Sequence, residues 1–74
     1  MKYAIVIEKA PSNYAAYAPD LPGCVATADT REEVIRLMRE GIPLHIKGLL
    51  EEGEAVPQSQ ATVVELDIPL AAVA

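Results

Sequence analysis

The sequence predicts an α+β fold of order β-β-β-α-β, with a mixed four-stranded sheet and one helix on one of its faces. Three observations lead there. Three short apolar runs, at 2–8, 14–18 and 24–28, are separated by segments rich in Pro, Gly and Asn. A long stretch from Arg31 to Glu52 carries apolar residues at helical spacing. The run from Ala61 to Ile68 then returns to alternation with a period of two.

The first run places Tyr3, Ile5 and Ile7 on one face and Ala4 and Val6 on the other. Both faces are apolar, as expected of a central strand covered on at least one side. Pro11, Ser12 and Asn13 form a compact turn signal. The second run sets Tyr14, Ala16 and Ala18 opposite Ala15 and Tyr17. It ends at Pro19-Asp20-Leu21-Pro22-Gly23, where two prolines lack the N–H that a central ladder position needs. Gly23 can take the positive φ of a sharp reversal, and the third run follows from Cys24. Short connections between consecutive strands predict an antiparallel meander.

Thr30 with Glu33 three residues later reads as a capping box, so the helix is expected to start at Arg31. Glu32 and Glu33 lie in its first turn, where the macrodipole favours negative charge. Val34, Ile35, Met38, Ile42, Ile46, Leu49 and Leu50 form one apolar stripe. Gly53 is a natural terminator, and Pro57 bars continuation. Within the helix, Pro43 cannot donate to the carbonyl of Arg39, which predicts a kink or a break near Gly41–Pro43.

The last run sets Thr62, Val64, Leu66 and Ile68 against Val63, Glu65 and Asp67. A helix returning antiparallel to the third strand makes this fourth strand parallel to the first, with a right-handed crossover and the order 3-2-1-4. One sheet face is then left without a helix. That face, with the apolar tail Ile68–Ala74, predicts association with another molecule.

Composition narrows the function classes. A chain of 74 residues is expected to form one domain over 1–74, and it buries only about 60% of its unfolded surface. With no Trp or Phe and many Ala residues, its core is thin, so a homodimer or higher homo-oligomer is the natural expectation. The net charge of −5 argues against direct binding to nucleic acid and suits a basic partner or simple solubility. Cys24 is the single cysteine, so the chain closes no internal disulfide and holds no thiolate zinc cluster; a lone Cys opening a strand is ordinarily a small buried hydrophobe. The opening apolar run is too short for a signal peptide, and no stretch approaches the roughly 20 apolar residues of a membrane span. A cytoplasmic protein without cofactors is expected.

Taken together, several motifs resemble the HicB-like antitoxin family. They are the first-strand pattern from Tyr3 to Glu8, Tyr14 and Tyr17 before the turn, and the Pro19–Cys24 block itself. Asp29-Thr30 and Glu32-Glu33 opening the helix follow, then the exit from Glu52-Gly53 to Val56-Pro57. The resemblance covers most of the chain. It implies a degenerate RNase H-like domain that binds and inhibits a small, basic HicA-type toxin, itself an RNA-cleaving protein with a double-stranded-RNA-binding-like fold. Family members often add a ribbon-helix-helix or helix-turn-helix domain for operator DNA. The residues up to Ala74 contain no such pattern, so no C-terminal DNA-binding domain is expected here.

The candidate partner-binding residues are Tyr17, Asp20, Leu21, Pro22 and Gly23, with Thr30 and Glu33 as a structural cap. Each has an ordinary use as well: Asp20 can satisfy backbone N–H groups of its turn, and Leu21 can close the core edge. No catalytic residue is assigned. His45 lacks any nucleophile signature nearby and is expected on the helix surface. Glu8 and Asp67, on strands expected to be neighbours, suggest the carboxylates of an RNase H-like metal site, but two-metal hydrolysis needs further converging carboxylates. Two readings stand beside the antitoxin: a homo-oligomeric structural or ligand-sensing domain, and a degenerate nuclease.

Overall fold

The computed structural model describes residues 1–73. Three strands, β1 (Val6–Lys9), β2 (Tyr14–Tyr17) and β3 (Val25–Ala28), form an antiparallel sheet in the order β1-β2-β3. Register pairs Ile7 with Ala16 and Ala16 with Ala26, and pairs Val6 with Tyr17 and Tyr17 with Val25. The expected meander is present, with strands shorter than the apolar runs that encode them.

Helix α1 (Arg31–Glu51) follows directly. Thr30 is extended at φ −127° and ψ 157°, and its hydroxyl accepts the Glu33 N–H at 3.1 Å. At the other end Gly53 takes φ 73°. The Glu54 N–H donates to the Leu49 carbonyl at 2.9 Å and the Gly53 N–H to the Leu50 carbonyl at 3.1 Å, a Schellman motif. Of the kink or break expected near Gly41–Pro43, the break is absent: one helix runs unbroken through Pro43. Pro43 and Arg39 are both exposed, so water can satisfy the carbonyl that the proline leaves without a donor.

The four-stranded order 3-2-1-4 is not found. Residues 61–68 form no strand, and their backbone has no backbone hydrogen-bond partner among the described residues. Alternation assigns side chains to faces, but a strand exists only where an edge accepts its N–H and C=O groups. Two anchors hold the approach to this segment. The Tyr3 hydroxyl donates to the Pro57 carbonyl at 2.6 Å, and the Asp20 carboxylate accepts from the Gln60 and Ala61 N–H groups at 3.0 and 2.9 Å. Beyond them Val63 and Glu65 pass beside residues 5–9 without pairing, and a 3-10 turn occupies Leu70–Val73. The tail's last residue, Ala74, lies outside the described residues.

The core sits between sheet and helix. Ala16, Ala18, Leu21, Cys24, Val34 and Met38 are the buried hydrophobic residues, and half-buried Tyr3, Ile5, Ile7, Tyr14, Ile35, Ile42 and Ile46 pack around them. Val34 and Met38 are one helical turn apart, at the centre of the expected stripe, whereas Leu50 at its end is exposed. The helix packs chiefly on β2 and β3, leaving β1 at its margin.

Candidate functional site

The sheet end near the β2–β3 connection gathers most of the chemistry that the sequence marked. Ala18 and Cys24 close the connection: the Ala18 N–H donates to the Cys24 carbonyl at 3.1 Å. Inside it the Leu21 N–H donates to the Ala18 carbonyl and the Cys24 N–H to the Leu21 carbonyl, both at 3.0 Å. Gly23 adopts φ 83°, a conformation that side-chain-bearing residues rarely take, so the reversal depends on glycine there.

This geometry separates the five candidate residues. Leu21 is fully buried and pins the loop to the core, so its side chain is not part of any exposed surface. Asp20 is half-buried, and its carboxylate holds the chain across the loop at Gln60 and Ala61. Tyr17, Pro22 and Gly23 are exposed. Thr30 and Glu33 lie at the opposite end of the sheet, where they cap α1. Cys24 is buried, and desolvation pushes its thiol above the ordinary value, so it is a poor nucleophile at neutral pH.

Asp20→Ala removes the acceptor for both amides. The expected cost is about 1–2 kcal/mol, since the bonds are charge-assisted but partly solvated. Hydrogen exchange at Gln60 and Ala61 should speed up by about tenfold or more, while Met38 in the core keeps its protection. Unchanged exchange at the two amides would show that the carboxylate does not hold this segment.

The sheet face opposite the helix was the sequence's other expectation, and here the register is informative. Val6, Tyr17 and Val25 are direct cross-strand neighbours and form one row over that face. Tyr17 is 40% exposed and Val25 69% exposed. The next row is Glu8, Ala15 and Thr27. Val25 was not singled out from the sequence, although its position one residue after the turn, facing Tyr17 across the ladder, was a usable signal. The surface is therefore an apolar strip bordered by a carboxylate and ending at the Pro22–Gly23 turn.

His45 is half-buried rather than on the open helix surface, and it packs towards that turn. A Cβ built at Gly23 would lie 3.9 Å from its Cε1. Glu8 and Asp67 are not brought onto adjacent strands, because the fourth strand is missing. Among the described residues no three His, Cys, Asp or Glu side chains converge as a metal-binding group, and no helix is long and apolar enough to cross a membrane.

Similarity to known proteins follows the same residues. Positions 3–68 match the model of a family described as HicB-like antitoxin of bacterial toxin–antitoxin systems. An uncharacterised protein from the rep–hol intergenic region of Haemophilus phage HP1 is 42% identical over 59 residues, which is 80% of this chain but 44% of the phage protein. This chain thus spans less than half of that relative. UPF0150 proteins are matched over more of their length. The one from Thermoplasma acidophilum is 32% identical, covering 82% of this chain and 90% of the relative. The one from Helicobacter pylori is 38% identical, covering 89% and 90%. With the signature turn, the capped helix and the segment to Ile68 all inside the matched span, the chain belongs to the HicB-like antitoxin family.

Proposed function

We propose that this chain is a non-enzymatic protein-binding module that neutralises a small, basic, RNA-cleaving toxin of the HicA type. The observation that carries the reading is the family match over 3–68, and two physical features support it. The net charge of −5 favours encounter with a basic protein and disfavours the toxin's nucleic-acid substrate. The open strip of Val6, Tyr17 and Val25 offers an aromatic anchor among apolar neighbours, bordered by Glu8. Inhibition would then be occlusion: an apolar strip bordered by Glu8, on a chain of net negative charge, covers the basic face with which the toxin holds RNA. A cytoplasmic location and self-association into a homodimer fit this role.

Co-expression with a HicA-type toxin tests it. Growth should be rescued, and the purified pair should co-elute. Tyr17→Ala should weaken the complex by about tenfold or more, as removing an interface aromatic commonly does, without altering the helical circular dichroism. Failure of the wild-type chain to bind or rescue would refute the reading. Full affinity in Tyr17→Ala combined with Val25→Asp would move the interface off the open strip.

A further inference from the structure

The two edges of the sheet differ in how they are guarded. β1 carries Glu8 and Lys9, and Val63 and Glu65 pass beside it. β3 is Val-Ala-Thr-Ala, with no charge and no proline, and it pairs with β2 alone. Charge and proline are what commonly keep an edge strand from pairing with another chain.

The free groups of that edge follow from the register. The Ala18 N–H donates to the Cys24 carbonyl, and these two residues stand opposite each other one step beyond Tyr17 and Val25. Hydrogen-bonded pairs alternate along an antiparallel ladder, so Ala16–Ala26 and Tyr14–Ala28 are the next bonded pairs. Val25 and Thr27 therefore turn their N–H and C=O groups away from β2. Neither has another backbone partner among the described residues, and both are exposed.

We propose that two copies of this chain pair antiparallel along β3, about a two-fold axis at Ala26, into one six-stranded sheet. Val25 and the partner's Thr27 exchange two backbone hydrogen bonds, and Thr27 and the partner's Val25 exchange two more. Every outward group on both strands is then satisfied, and the interface is isologous. A shift of one residue would set open-face side chains opposite helix-facing ones, so this register is the one that keeps the faces matched. Charge favours a second copy over an unlike partner. Residues 21–28 carry no charge, so two chains of net −5 meet there without opposing like charges, whereas a basic protein is drawn to acidic residues elsewhere.

The helix fits the same axis. Ile35 and Ile42 face the start of the chain, on the β1 side. At about 100° per residue, Leu37, Gly41 and Leu44 fall on the opposite flank of the buried Val34 and Met38, above the outer edge of β3. Leu44 is 68% exposed, and a Cβ at Gly41 would meet nothing within 4 Å. Strands lie about 4.8 Å apart, so helices packed over β2 and β3 of each copy come to lie roughly 10 Å apart, the distance at which helices pack. The two apolar flanks then cover each other. The proposal stands apart from the toxin reading: a chain that binds no toxin can form this dimer, and a single chain can still bind one.

Sedimentation of the full chain should give the mass of two chains. Hydrogen exchange should find the Val25 and Thr27 amides as protected as that of Ala26, although a single chain leaves both open to water. In a mixture of labelled and unlabelled protein, isotope-filtered NOE spectra should join the Ala26 Hα protons of the two chains, the close contact of a non-hydrogen-bonded pair. Thr27→Pro removes a donor that the sheet of a single chain does not use, and should raise the dimer dissociation constant by about tenfold or more. Leu44→Glu should weaken the dimer likewise while its helical circular dichroism persists, since Leu44 is exposed in the single chain. A one-chain mass would overturn the proposal. So would fast exchange at Val25 and Thr27 within a dimer, an unaltered dissociation constant in both variants, or inter-chain contacts running through Val6 and Tyr17 of the open face instead.

Discussion

Leu21→Ala is expected to remove about 2–5 kcal/mol of stability, the usual cost of emptying a fully buried Leu site. Total stability for a chain of 74 residues is roughly 4–11 kcal/mol, so the variant should lose a large share of it and unfold at a much lower urea concentration. The size of the effect follows from how few large side chains share the burden. Among the described residues only Leu21, Met38 and Val34 are large and wholly buried, while Ala16, Ala18 and Cys24 contribute small volumes. Leu21 also holds the connection through which β3 reaches its register, by its N–H to Ala18 and its carbonyl from Cys24. Urea unfolding followed by circular dichroism measures the loss. Leu21→Met, which keeps the volume, should cost less than about 1.5 kcal/mol and separates packing from side-chain identity. A loss below about 1 kcal/mol for the Ala variant would mean that the loop is not a structural part of the core.

That residue also shows where reading the sequence stops. Between Pro19 and Pro22, Leu21 was equally suited to the surface and to the core, because a turn's backbone chemistry does not say which way its middle side chain faces. Only the packing of α1 against β2 and β3 decides that. By contrast the helix ends were legible to the residue or nearly so. Thr30, Glu33 and Gly53 act through bonds spanning a few residues, and such bonds survive almost any tertiary setting. The β1–β2–β3 meander was legible for the same reason, its connections being short and rich in Pro, Gly and Asn.

The segment 61–68 failed as a strand because its signal is of another kind. Period-two alternation is a local property, whereas pairing is not. Asp20 and Tyr3, which anchor the approach, lie 40 or more residues away in sequence from the groups they hold. Nothing in Thr62–Asp67 announces them. The candidate surface was legible in the same partial way. Tyr17 and Pro22 stood out as an aromatic and a turn residue, but the strip they belong to also needs Val6 and Val25, which only the cross-strand register joins to Tyr17.

Pro43→Ala should stabilise the fold by about 2–3 kcal/mol and raise the melting temperature by roughly 10–20 °C. The proline sits in the interior of α1, with 12 helical residues before it and 8 after it in Arg31–Glu51. It lacks the N–H that would bond the Arg39 carbonyl, and its ring crowds that carbonyl. Neither defect is offset by burial, since Pro43 is exposed and the packed stripe runs instead through Val34, Met38, Ile42 and Ile46. Alanine restores the donor and removes the crowding without disturbing any buried contact. The helix survives its proline because tertiary packing on both sides holds it, so the substitution should act on stability alone. Thermal unfolding by circular dichroism checks the shift, and sedimentation should show the association state unchanged. A melting temperature unaltered to within about 2 °C would mean that the helix already relaxes around Pro43 at no cost. The expected bend would then be present as a smooth curve rather than as a break.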